Sequence, residues 1–120
     1  MADFDKLREH GIDTAEGISY CADDTGFYEE MLGEYIAEGE DNLKKLEQSF
    51  DRGDWADYRI TAHSLKNTSR MIGAGEFSEH AHEMEVAAKD EDEAKIRENH
   101  EIFMAEYVSL LRIIKECSRK

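Results

Sequence analysis

The residues with the clearest capacity for chemistry lie between Thr61 and Ala74, in the run TAHSLKNTSRMIGA. Read as a helix at about 100° per residue, Arg59, His63, Lys66 and Arg70 fall within an arc of about 60°. A lone imidazole therefore stands inside a small cationic strip, in a chain whose formal charge is −14. A neutral imidazole nitrogen is a competent nucleophile toward phosphorus, and the phosphoramidate it forms is readily passed on. A carrier of this kind needs an exposed histidine, a nearby cation to balance the phosphoryl oxygens, and no machinery for activating water. Lys66 at i+3, Arg70 at i+7 and Arg59 at i−4 from His63 can supply that charge. The rest of phosphoryl transfer is positioning and electrostatics, which a partner can contribute.

The strip must be held by a helix with a second, apolar face. Tyr58, Ala62, Leu65, Ser69 and Ile72 recur at alternating spacings of four and three, and their seam lies roughly 110° from the strip. The spacing predicts a central helix from about Trp55 to Ile72, capped by Asp54 and stopped by Gly73 and Gly75. Ile60 and Met71 lie off the main seam. They read as core contacts to an N-terminal cover, because buried apolar side chains are the default; exposed, they would flank His63 in an apolar docking patch, with Ser64 beside them.

From Ala62 to Ala74 the sequence resembles the signature of histidine-containing phosphotransfer (HPt) domains, carried here by His63, Leu65, Lys66, Thr68, Ser69, Gly73 and Ala74. The resemblance implies that His63 is the phosphoacceptor and that Lys66 helps to hold the phosphoryl group. It implies as partners the receiver domains of response regulators or hybrid histidine kinases, whose acidic pocket holds the Mg²⁺, with no cofactor in this chain. Arg59 and Arg70 are added from helical geometry. Asn67 stands where the family has glycine; it either crowds the docking receiver or donates a hydrogen bond to the phosphoryl group. The expected function is a phosphorelay intermediate in two-component signal transduction. Its rival is a helical adaptor that binds and regulates a receiver or kinase without transferring phosphate.

At 120 residues the chain is expected to form a single domain spanning residues 1–120, with a real core. Proline is absent and charged residues make up 37% of the sequence, which favours helices over a turn-rich β-sandwich. Asp13 with Glu16 makes a capping pattern for a short helix carrying Ala15, Ile18 and Cys21, after a first piece anchored by Phe4 and Leu7 and ended by Gly11. One long amphipathic helix is predicted from Asp24 to Phe50, with Tyr28, Leu32, Tyr35, Gly39, Leu43, Leu46 and Phe50 on its stripe and Phe27, Met31 and Ile36 widening it. Another follows from Glu76 to about Lys89. Asp90 and Glu93 would cap the last, which carries Ile96, His100, Phe103, Tyr107, Leu110, Ile114 and Cys117. The expected fold is all-α, an antiparallel up-and-down four-helix bundle with short N-terminal helices covering one end.

Other function classes find little support. No apolar run is long enough for a membrane span and there is no secretory start, so a cytoplasmic, monomeric protein is expected. The acidic balance disfavours nucleic acid and anionic lipid, since neither gains counterion release from a surface without a cationic track. Cys21 and Cys117 are far apart and lack CxxC spacing, so they read as reduced thiols. Glu79 and His82 form one Glu-x-x-His pair, but a di-iron bundle needs a second copy and two further carboxylates. No metal is expected. His100 reads as a hydrogen-bonded core histidine and His10 as a helix-end residue near the negative end of the dipole. No glycine-rich ATP loop occurs, so the chain is not expected to be an enzyme that uses ATP.

Overall fold

The computed structural model describes residues 2–118. Seven helices and no strands occur among them: α1 (Phe4–Glu9), α2 (Thr14–Tyr20), α3 (Thr25–Ala37), α4 (Gly39–Arg52), α5 (Trp55–Met71), α6 (Gly75–Lys89) and α7 (Glu93–Cys117). Aspartate starts most of them. The carboxylates of Asp3, Asp13, Asp24, Asp54 and Asp92 each accept a hydrogen bond from the backbone N–H three residues on, satisfying a donor that the helix leaves orphaned. The cap of α7 is therefore Asp92 rather than the expected Asp90, because Glu91 takes a left-handed φ of 54° and carries the turn two residues further.

The long helix expected from Asp24 to Phe50 is two helices joined at Glu38, whose φ and ψ of −85° and −6° leave the ideal α-helical values. Immediately after it, Gly39 lies against α7 so closely that a Cβ there would stand 2.6 Å from Leu111 Cδ1. The expected stripe nonetheless runs through the break: Tyr28, Leu32, Tyr35, Gly39 and Leu46 are buried, and Leu43 and Phe50 half-buried. Phe27, expected to widen that stripe, is exposed.

Helix α3 pairs with α5, and α4 with α7, in descending register, the mark of antiparallel packing. Tyr28 and Tyr35 of α3 meet Ile72 and Ser69 at the far end of α5. Asn42 and Glu47 of α4 meet Tyr107 and His100 of α7, and Phe77 of α6 stacks on Phe103 of α7 with His80 reaching Glu106. The core is rich in tyrosine, and each buried tyrosine hydroxyl has a partner, as a buried polar group requires. Tyr28 donates to the Ile72 carbonyl at 2.7 Å, Tyr35 shares a 2.6 Å hydrogen bond with Ser69, and Tyr107 accepts from Asn42. Burial pushes the Tyr107 phenol up to about 12. His100 is buried as expected: its ring stacks on Phe50 at 3.8 Å, Tyr58 donates to Nδ1 at 2.9 Å, and Nε2–H points at Glu47.

The short N-terminal helices seal the end of the bundle where α5 stops. Asp13 N–H donates to the Gly73 carbonyl at 2.8 Å, taking the place of the reciprocal Glu16 contact of a capping box. Gly17 packs against the same end; a Cβ there would meet Tyr28 at 2.5 Å and the Ile72 carbonyl carbon at 2.9 Å. The buried face of α2 is accordingly Thr14 and Gly17, while Ala15, expected to face inward, is exposed. Gly73 itself, with φ of 88°, makes the left-handed turn between α5 and α6. No helix of the described residues is long and apolar enough to cross a membrane.

Candidate functional site

Helix α5 divides its residues between two faces as its periodicity predicts. Tyr58, Ala62, Leu65, Ser69 and Ile72 are buried, and Arg59, His63, Ser64, Asn67 and Arg70 are exposed. His63 keeps 54% of its side chain in solvent, so an incoming group can reach it. Ile60 and Met71 are 66% and 37% exposed. Their expected role as core contacts to the N-terminal cover is overturned, because α2 docks on the Ile72–Gly73 end of the helix and leaves its flank open. With Ser64 they belong to the solvent-facing surface of the histidine helix.

The decisive neighbour comes from α6. Glu85 Oε2 lies 2.7 Å from His63 Nδ1, and Glu85 Oε1 lies 3.0 Å from Lys66 Nζ. Only 13% of the Glu85 side chain is exposed. Burial alone raises its carboxyl pKa, but the contacts with Lys66 and His63 outweigh that and leave it below the ordinary carboxylate range. An ionised carboxylate can only accept, so His63 Nδ1 carries the proton and donates it toward Glu85. In the neutral ring the second nitrogen, Nε2, then holds the lone pair, with the Asn67 amide nitrogen 3.3 Å away as its donor. In that tautomer Nδ1 faces Glu85 and Nε2 faces Asn67. This is the arrangement by which a carboxylate orients a histidine and stabilises positive charge that develops on the ring.

Lys66 is one turn from His63, as expected, yet its ammonium is tied to Glu85. Arg59 is exposed and makes no ion pair among the described residues. Arg70 lines an open polar cleft of about 450 Å³ together with Lys66, Glu16, Gly75, Ser78, Glu79 and His82. His82 also approaches the site, with Nδ1 3.7 Å from Glu85 Oε1. Sequence reasoning found the strip but missed Glu85 and the nearness of His82. The missing signal was hairpin register: His63 stands eleven residues before Ala74 and Glu85 eleven after it, so a tight antiparallel turn there brings them level.

Comparison with known proteins identifies the family and the fold. A family model for the Hpt domain matches residues 30–115. The crystal structure of histidine-containing phosphotransfer protein B (HptB) from Pseudomonas aeruginosa PAO1 is similar in fold, with a TM-score of 0.78 over 89% of this chain and 93% of that one, at 22% identity. Curated proteins gave no match. The chain belongs to the Hpt domain family, and its role is that of a phosphoryl carrier in a two-component phosphorelay.

Proposed function

We propose that His63 is the phosphoacceptor and that its reacting atom is Nε2. The observation that carries this reading is the 2.7 Å contact between Nδ1 and Glu85, which in the neutral ring leaves the lone pair on Nε2. As Nε2 attacks the phosphorus of a receiver's aspartyl phosphate, the N–P bond forms, the P–O bond breaks and the aspartate departs as a carboxylate. The proton stays on Nδ1. The ring gains positive charge in this step, and Glu85 stabilises it through the hydrogen bond already in place. The same charge makes the imidazole a good leaving group, so the phosphoryl group can move on to a second receiver.

Lys66 balances the phosphoryl oxygens, aided by Arg59 and Arg70, while Asn67 donates an amide N–H from beside Nε2. Ile60, Ser64 and Met71 form the part of the docking surface nearest the imidazole. The partner supplies the Mg²⁺, and this chain needs no cofactor or ATP site of its own. It works as a monomeric single domain, since one exposed histidine suffices for each transfer.

Phosphotransfer profiling against receivers of the source organism tests the reading. An acid-labile, alkali-stable phosphate is expected on the wild type and absent from a His63→Gln variant. Equal labelling of that variant would overturn it. Receiver binding that survives His63→Gln, with phosphate transferred to neither protein, would establish an adaptor instead.

A further inference from the structure

One carboxylate, that of Glu85, faces three basic side chains. His63 occupies Oε2, Lys66 lies 3.0 Å from Oε1, and His82 waits 3.7 Å from the same oxygen. Oε1 is buried and has no hydrogen bond of good geometry, although the ammonium is beside it. The pairing ties Lys66 to the same carboxylate that holds Nδ1.

We propose that loading His63 with a phosphoryl group exchanges the partner of Glu85 Oε1: Lys66 leaves for the phosphoryl oxygens, and His82 replaces it by donating Nδ1–H. This rests on His63 being the phosphoacceptor. A phosphoryl group attracts an ammonium more strongly than one carboxylate does, because it carries more charge and three acceptor oxygens. Departure of Lys66 would strand a buried, charged oxygen, which is costly unless another donor arrives. His82 is that donor. Its side chain is about half exposed and so free to turn, and it needs to close by roughly 1 Å to reach hydrogen-bond distance. Apart from Lys66, the charged groups lining its cleft are Arg70 from α5, Glu16 from α2 and Glu79 from its own helix; none of them is hydrogen-bonded to Oε1 in the present arrangement. His82 is thus a positioning residue that acts on the phosphoryl group by releasing Lys66.

Phosphoramidate serves as phosphodonor in the test, with the site of labelling mapped by mass spectrometry and the lifetime of the His63 phosphate followed by ³¹P NMR. His82→Leu is expected to shorten that lifetime about two- to tenfold, the range of one hydrogen bond. His82→Asn, whose amide N–H stands where Nδ1 does, should restore it. In a Lys66→Ala background, which already has the short lifetime, His82→Leu should change nothing further, because the two residues act in series. An unchanged lifetime in His82→Leu, or the same shortening with and without Lys66, would overturn the exchange. Label mapped away from His63 and undiminished in His63→Gln would instead overturn the assignment of the phosphoacceptor.

Discussion

His63 and Glu85, 22 residues apart on adjacent helices, meet at 2.7 Å, and the carboxylate belongs to the more buried partner. Orientation and charge are separable contributions of this contact. Glu85→Gln keeps an acceptor for Nδ1–H but removes the negative charge, whereas Glu85→Ala removes both. Phosphotransfer rates from a phosphorylated receiver are expected to fall about tenfold in the first and about a hundredfold in the second. Equal rates in wild type and Glu85→Ala would show that the contact is incidental.

Asn67 places its amide nitrogen 3.3 Å from Nε2, the atom proposed to attack. Its removal should free the lone pair and at the same time strip a donor from the phosphorylated state. Asn67→Ala is therefore expected to be phosphorylated about two- to tenfold faster and to lose its phosphate faster by a similar factor, in line with one ordinary hydrogen bond. Stopped transfer and ³¹P decay measurements check the two halves independently. A slower Asn67→Ala variant would contradict this account.

Away from the site, His80 Nδ1 lies 2.7 Å from Glu106 Oε1 across the α6–α7 contact, and that hydrogen bond raises the pKa of its imidazole against the opposing effect of burial. The charge on Glu76 and Glu83 adds to the rise. A raised histidine stabilises the fold fully at pH below its unfolded value and loses that contribution as pH climbs through the folded one. The difference in thermal stability between wild type and His80→Gln should therefore be greatest near about pH 5.5, below the usual histidine range, and vanish in alkali. A difference independent of pH in thermal melts would remove His80 protonation as its cause.

Two glycines in helices make opposite predictions. Nothing lies within 4 Å of a Cβ placed on Gly33, so Gly33→Ala should gain the intrinsic helix preference of alanine, about 0.8–1 kcal/mol in denaturant unfolding. A Cβ on Gly17 would overlap Tyr28 and the Ile72 carbonyl. Gly17→Ala should lose about 1–3 kcal/mol through overpacking, and chemical denaturation compared across the pair reads both signs.

What could be read from the amino acids alone follows the reach of each signal. The buried stripe of α5 was legible because a four-three rhythm is a local property, and its predicted seam residues Tyr58, Ala62, Leu65, Ser69 and Ile72 are all buried. The break at Glu38 was not legible, since it accompanies a close approach of Leu111, over seventy positions away in the chain. Ile60 and Met71 were misjudged for a related reason. Their exposure depends on where α2 lands, and that is decided by a glycine-sized gap at Gly17 rather than by anything on their own helix. The position of His63 was local and readable, whereas its orientation required Glu85, which only the register of the α5–α6 turn delivers.

The N-terminal helices lie outside the stretch matched by the family model, which begins at residue 30. Yet Asp13 and Tyr28 supply the donors for the carbonyls of Gly73 and Ile72, at the point where the histidine helix turns into the helix bearing Glu85. A fragment cut to the family boundary would expose those carbonyls and loosen the hinge of the hairpin that brings His63 and Glu85 level. The turn of the hairpin that carries the site is thus completed by residues that precede the recognisable stretch.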